Sequence, residues 1–182
     1  NSTISGNVAT TTPGAGSAIE SAGTVNVTNS TISGNSKPNG LGGGAILSFG
    51  SLTITNSTIT NNLVGSGAGV SGVWAAIGTA TVRSSIIAGN QNNVTAPDVS
   101  GVFASGGYNL IGNVGTASGF TQTGDQTGTG ASPLDPQLLP LVNNGGPTET
   151  HALLPTSPAV DAGINGPPPL TFDQRGTGFL RT

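Results

Sequence analysis

Apolar and polar residues alternate along this chain in short runs, and the runs recur. Val25-Asn26-Val27-Thr28, Leu52-Thr53-Ile54-Thr55 and Ala80-Thr81-Val82-Arg83 each set apolar side chains two apart, the period of a strand with one buried face. Each run leads into a copy of one phrase: Asn29-Ser30-Thr31-Ile32-Ser33-Gly34-Asn35, Asn56-Ser57-Thr58-Ile59-Thr60-Asn61-Asn62 and Ser84-Ser85-Ile86-Ile87-Ala88-Gly89-Asn90. An earlier copy spans Asn1 to Asn7, and the copies step by 28, 27 and 28 residues. A fixed period of this size is the signature of stacked repeats. Upstream, Gly16-Ser17-Ala18-Ile19 and Gly43-Gly44-Ala45-Ile46 stand 27 apart. One unit therefore reads glycine-rich turn, short strand, gap, alternating strand and Asn-Ser-Thr-Ile strand, with no helix.

The parity of the unit predicts its shape. Leu52 and Ile54 share a strand face, but Ile59 is five residues beyond Ile54 and would fall on the opposite one. Burying both requires a bend between them. Asn56 is the place for it, because Asn tolerates left-handed backbone. Strands that bend and continue, unit after unit, describe a parallel β-helix with coils about 4.8 Å apart. Ile4, Ile32, Ile59 and Ile87 then stack in one core column, and Val27, Ile54 and Val82 in another. Asn7, Asn35, Asn62 and Asn90 form a polar column whose amides bond along the stack.

The clear repeats span residues 1–92. The segments Thr10 to Ala15 and Lys37 to Gly42 read as loops leaving the coil. Residues 93–131 read as a fifth, irregular coil, with Phe120 and the stretch after it in a polar loop. Residues 132–182 form an irregular segment of the same domain. Nine of the twelve prolines lie between Pro133 and Pro169, and proline cannot donate in a ladder. Leu134, Leu138, Leu139, Leu141, Leu153, Leu154 and Val160 call for burial, so this segment is expected to wrap the last coil or pack along a side. Ser157-Pro158 is expected to start a single helical turn. The fold class is all-β: a solenoid of four to five coils with a Pro-rich C-terminal wrap or cap.

Composition narrows the function. Only 6% of the 182 residues are charged, far below the usual quarter. A net charge of −3 with four basic residues offers no basic patch, so nucleic acid is not an expected partner. No run reaches the roughly 18 apolar residues of a membrane span. The absence of cysteine removes disulfides, thiolate metal sites and thiol nucleophiles. No cofactor or metal is called for.

A resemblance adds to this reading. Gly107-Tyr108-Asn109-Leu110-Ile111-Gly112-Asn113, Leu134-Asp135-Pro136 and Asn143-Asn144-Gly145-Gly146-Pro147-Thr148 carry it. So do Thr150-His151-Ala152-Leu153-Leu154-Pro155, Ser157-Pro158-Ala159-Val160-Asp161-Ala162-Gly163 and Asp173-Gln174-Arg175-Gly176. Together they resemble the bacterial choice-of-anchor Q domain proteins. The Gly43-Gly44-Ala45-Ile46 phrase is similar to repeats of polymorphic outer-membrane autotransporter passengers. The first resemblance implies a right-handed parallel β-helix that is exported and surface-attached, hence extracellular or at the cell surface. It implies fold and location more than activity.

Two function classes follow. One is a structural, adhesive or filament-forming surface module, binding through the solenoid side or end, with a surface glycan as a candidate ligand. The other is a polysaccharide lyase or glycoside hydrolase on the same fold. Such enzymes need a base with Ca²⁺-binding carboxylates, or a carboxylate pair. The clear repeats hold only Glu20, Lys37 and Arg83 as charged residues, with no two at equivalent positions of adjacent coils. Clustering of Glu20, Arg83, Asp98 and the tail carboxylates in one groove would favour the enzyme. Asp135, Asp161, Asp173 and Arg175 read as turn and cap chemistry, the last two as a pair tying the wrap down. His151 reads as a hydrogen-bonded packing residue with no nucleophile nearby. Trp74 and Tyr108 are the candidate sugar-stacking aromatics, although a packing role for Trp74 is the plainer reading. The sequons at Asn1, Asn26, Asn29, Asn56 and Asn93 read as by-products of the repeat. At the N-terminal end, the first coil is expected to be covered by upstream coils or a stacked copy, and the tail to close the other end.

Overall fold

A computed structural model describes residues 1–10, 16–39, 43–65, 69–92, 96–166 and 169–181. The described residues form an all-β parallel solenoid with no helix. Its turns share three faces. The first, the Ile face, stacks Thr3–Ser5, Thr31–Ser33, Thr58–Thr60, Ile86–Ile87, Leu110–Ile111 and Gln126–Thr127 in parallel order. The broad face carries Ile19–Ser21 and Val25–Thr28, then Ile46–Ser48 and Leu52–Thr55, then Val73–Arg83, then Val99–Ser105. Val73–Arg83 runs the short and alternating strands of its unit together, pairing with Ile46–Ser48 at one end and Leu52–Thr55 at the other. The short face stacks Ser36–Lys37, Leu63–Val64 and Gln91–Asn92.

Three turns carry all three faces, with one partial turn ahead of them and two after. This is fewer than the expected four to five coils, for a local reason. Two residues, Ala88 and Gly89, separate Ile87 from Asn90, but only Gly112 separates Ile111 from Asn113. The shortened turn gives no short-face strand among the described residues.

The register puts like on like. Ile4 pairs with Ile32, Ile32 with Ile59, Ile59 with Ile87, and Ile87 with Ile111. Val27 pairs with Ile54, and Ile54 with Val82. Ile32, Ile54, Ile59, Val82 and Ile87 are fully buried, each contributing about 1.5–3 kcal/mol of apolar burial. The bend that lets Ile54 and Ile59 both face inward lies at Asn56, where φ is +52°. Asn29 (+52°), Ser84 (+45°) and Tyr108 (+61°) make the same corner in their turns. A second left-handed corner, at Gly6, Gly34, Asn61 and Gly89, turns the chain from the Ile face to the short face.

Several expectations change. Ser36–Lys37 is a short-face strand and Lys37 is fully buried, so the chain leaves the coil after Lys37 rather than at it. Residues 11–15, 40–42 and the sequon at Asn93 lie outside the described residues. Phe120 is not in a polar loop. It packs on Phe103 with ring centroids 4.9 Å apart, and the two buried rings fill the core at the C-terminal end. Gln126–Thr127 adds a sixth strand to the Ile face. At Ser157 there is a turn rather than a helix, its Oγ accepting from the Ala159 N–H at 3.1 Å.

The tail takes the second of its two expected courses and runs along a side. Leu138–Val142 and Thr150–Leu153 pair as an antiparallel hairpin. None of the seven apolar tail residues singled out from sequence is fully buried, and Leu139, Leu154 and Val160 are exposed. The physical reason is the surface beneath. The tail lies against outward-facing Ser, Thr and Asn of the Ile face, so hydrogen bonds hold it. Gln174 is the main tie. Its Nε2 donates to Ser2 O at 3.1 Å and Thr3 Oγ1 at 2.9 Å, while Thr31 Oγ1 donates to its Oε1 at 2.7 Å. The tail thus reaches the first turn as well as the last, where Gln126 Nε2 donates to Pro158 O.

Candidate functional site: a polar ladder and a roofed cleft

The asparagine column is continuous. Asn7 Nδ2 donates to Asn35 Oδ1 at 2.8 Å, Asn35 Nδ2 to Asn62 Oδ1 at 2.9 Å, and Asn62 Nδ2 to Asn90 Oδ1 at 2.8 Å. Each Oδ1 also accepts the backbone N–H of the asparagine before it, at 3.1–3.2 Å. Spare amide hydrogens go to core-strand carbonyls: Asn35 to Ile4 O, Asn62 to Ile32 O and Asn90 to Ile59 O. Asn35, Asn62 and Asn90 are buried and Asn7 is exposed. The amide-to-amide bonds all point the same way, toward the C-terminal end, while the spare hydrogens reach back one turn.

The column ends on Asp98. Asn90 N and Nδ2 both donate to Asp98 Oδ1 at 2.8 Å, and Asn113 N donates to Oδ2 at 2.7 Å. With donors on both oxygens, the position needs a group that only accepts, which is a carboxylate rather than another amide. Burial pushes the Asp98 carboxyl up to about 6, against the downward pull of the Asn90 and Asn113 hydrogen bonds. Gly112 makes room for it, since a Cβ there would lie 2.5 Å from Asp98 Oδ2.

A second column repeats the design. The N–H of Ser2 donates to Ser30 Oγ, Ser30 to Ser57, Ser57 to Ser85, and Ser85 to Asn109 Oδ1. Asn109 N and Nδ2 then donate to Asp125 Oδ1 at 3.1 and 3.0 Å. The other oxygen of Asp125 accepts from Ser105 Oγ and Gln122 N. Sequence reading missed both aspartates as ladder ends. The signal was faint: Asp98 lies eight residues from Asn90, off the 27–28 period.

The tail roofs a cleft over the Ile-face corner. One part, about 460 Å³, is lined by Asn29, Asn56, His151, Asp173, Arg175 and Arg181 among others. An adjoining part of about 190 Å³ includes Asn56, Ser84, Tyr108, Gln126 and Arg181. Its floor is the column of left-handed corner residues, one per turn. Arg181 lies where the two parts meet, and its Nη2 donates to Asn56 Oδ1 at 2.8 Å. Burial lowers the Arg181 guanidinium from its usual value, with the Asp173 charge pulling it back up.

The other singled-out residues scatter. Asp173 and Arg175 form a local ion pair at 2.6 Å, with Arg175 stacked 4.0 Å over Phe179. They brace each other, while Gln174 between them ties the tail to the coil. Asp135 is exposed and accepts from the Gln137 N–H at 2.8 Å. Asp161 is exposed at a left-handed turn position. Glu20 is exposed on the broad face, where half-buried Trp74 occupies the same column two turns on. Asp98 is inside the wall, and Arg83 belongs to the broad face. The structure therefore does not gather Glu20, Arg83, Asp98 and the tail carboxylates into one groove.

His151 does have a serine beside it, contrary to the sequence expectation. Its Nδ1 lies 2.6 Å from Leu139 O and its Nε2 lies 2.8 Å from Ser33 Oγ. A carbonyl only accepts, so Nδ1 carries a proton. In the neutral ring Nε2 then accepts from the Ser33 hydroxyl. Ser33 is 2% exposed beneath the hairpin, so the pair works as a latch between tail and coil. Among the described residues no three His, Asp or Glu side chains cluster to hold a metal, and no helix is long and apolar enough to cross a membrane.

No protein-family model, curated protein or solved structure matches this chain.

Proposed function

We propose that this chain is a binding and structural module of an exported bacterial surface protein, and that it takes an extended glycan in the cleft between the Ile face and the tail. The export and surface setting rest on the sequence resemblance to choice-of-anchor Q domain proteins. The glycan reading rests on one observation: the cleft floor repeats a polar corner residue turn after turn, with Arg181 at its midpoint and Tyr108 at one end. Amides and a guanidinium suit sugar hydroxyls and ring oxygens, and an aromatic ring suits a sugar face. The cleft holds one carboxylate, Asp173, already paired with Arg175. A carboxylate pair for glycoside hydrolysis is not assembled among the described residues, so binding without turnover is expected.

Titration calorimetry against neutral and uronate-bearing oligosaccharides tests the reading. Binding that weakens at least tenfold in Arg181→Ala, with an unchanged melting temperature, is expected, together with no release of reducing or unsaturated ends. Catalytic release of such ends, or binding untouched by Arg181→Ala and Tyr108→Ala, would replace this reading.

A further inference from the structure

The two parts of the cleft meet at four residues, Asn56, Thr58, Leu153 and Arg181, which line both. An extended ligand that fills the cleft has to cross this junction. Asn56 and Thr58 come from one turn of the solenoid, the left-handed corner and the first residue of the strand Thr58–Thr60. Leu153 and Arg181 come from the tail above.

The junction is rich in donors. A guanidinium carries five N–H groups and no acceptor, and Arg181 Nη2 donates to Asn56 Oδ1 at 2.8 Å. That bond takes the acceptor of the Asn56 amide and leaves its Nδ2, which only donates. Thr58 Oγ1 has no hydrogen-bond partner among the described residues, and its hydroxyl hydrogen rotates to suit a ligand. A sugar hydroxyl placed here would need an acceptor for its own hydrogen, and Asn56 Oδ1 is already used. A group that only accepts fits all three donors at once.

Charge points the same way. Among the described residues Asp173 is the one carboxylate lining either part, and Arg175 holds it through Nε at 3.0 Å and Nη2 at 2.6 Å. Two guanidiniums thus share one carboxylate, in a chain whose net charge is −3. Burial lowers the Arg181 guanidinium from its usual value even though the Asp173 charge pulls it up, so the cation at the junction is only partly compensated.

We propose that the junction reads a negatively charged substituent on the sugar, a carboxylate or a sulfate, seated on Arg181 with Asn56 Nδ2 and Thr58 Oγ1 as flanking donors, so that the cleft takes an acidic glycan in preference to a neutral one. This rests on the glycan reading of the cleft and narrows its ligand class. A guanidinium matches such oxygens with two-pronged, charge-assisted bonds that a neutral hydroxyl does not offer.

The test compares three oligosaccharides of equal length by titration calorimetry: one bearing uronates, the same chain with its carboxyls methyl-esterified, and a sulfated neutral chain. The wild type should bind at least one charged chain about tenfold or more tighter than the ester, and the order of uronate and sulfate tells which anion the junction takes. The gap should shrink as salt rises. Arg181→Gln should bind charged and esterified chains equally, with an unchanged melting temperature. Thr58→Val keeps the charge and should narrow the gap without closing it. The wild-type comparison and Thr58→Val keep the test decisive if Arg181→Gln unfolds. Equal binding of all three chains by the wild type, a gap indifferent to salt, or a gap that survives Arg181→Gln would overturn the inference and leave the glycan reading standing. Binding of none of the chains would overturn both.

Discussion

Asn90 Nδ2 donates to Asp98 Oδ1 at 2.8 Å, and the other oxygen of the same carboxylate takes the Asn113 N–H at 2.7 Å. One buried side chain therefore ends a ladder that runs through four asparagines and holds the shortened fifth turn in place. Asp98→Ala would strand three donors: Asn90 N, Asn90 Nδ2 and Asn113 N. An unsatisfied buried donor costs about 1–3 kcal/mol, and at pH 5 the folded Asp98 carboxyl holds its proton, so no buried charge offsets the loss. A net loss of about 2–4 kcal/mol is expected in urea unfolding at pH 5. A loss below about 0.5 kcal/mol would show that the ladder does not end there.

The same carboxylate gives the fold a pH dependence of unusual sign for an aspartate. Burial raises its folded value to about 6, from an ordinary 3.8. Between those values the folded chain keeps a proton that the unfolded chain has released. The contribution is fully present below about pH 3.8 and is lost as pH rises through about 6, a decline of about 3 kcal/mol. Comparing unfolding free energies of the wild type and Asp98→Ala from pH 4 to 7 isolates this contribution. Their difference should narrow as pH rises, and a constant difference would contradict the assignment.

Much of the core was readable because its period is regular. The odd spacing from Ile54 to Ile59 demanded a bend, and Asn56 supplies it with positive φ. The ladder asparagines were readable for the same reason. Asp98 was not, because it enters the column from a loop off the period. Lys37 was hidden by Pro38 beside it, which reads as a loop although Lys37 still completes a strand. The pairing of Ser33 with His151 joins residues 118 apart, and nothing in the local pattern of either announces the other. The course of the tail was open because its apolar residues suggested core packing, whereas its ties are polar.

The register itself can be tested by two similar substitutions. Ile59 is fully buried and Thr53 is half-buried on the outward side of the broad face. Ile59→Asn should cost at least about 3 kcal/mol, through lost burial and an unpaired amide. Thr53→Asn should stay within about 1 kcal/mol. Equal melting temperatures would refute the inward and outward assignment.

Gln174 tests how the tail is held. Gln174→Ala removes the donations to Ser2 O and Thr3 Oγ1 and leaves Thr31 Oγ1 without its acceptor. Cleavage within residues 144–181 by a nonspecific protease should accelerate several-fold, while the coil keeps its β-sheet circular dichroism. Unchanged cleavage would show that the Ser33–His151 contact and the apolar contacts suffice.

The amide ladder inside the solenoid wall is continuous, each rung donating to the next toward the C-terminal end. The most direct measurement is NMR exchange of the Asn35, Asn62 and Asn90 side-chain amide protons, with exposed Asn143 as the internal standard. The three ladder amides should exchange at least a hundredfold more slowly than Asn143, with Asn62, flanked by a rung on each side, among the slowest. Exchange at the rate of Asn143 would mean that the column is not hydrogen-bonded.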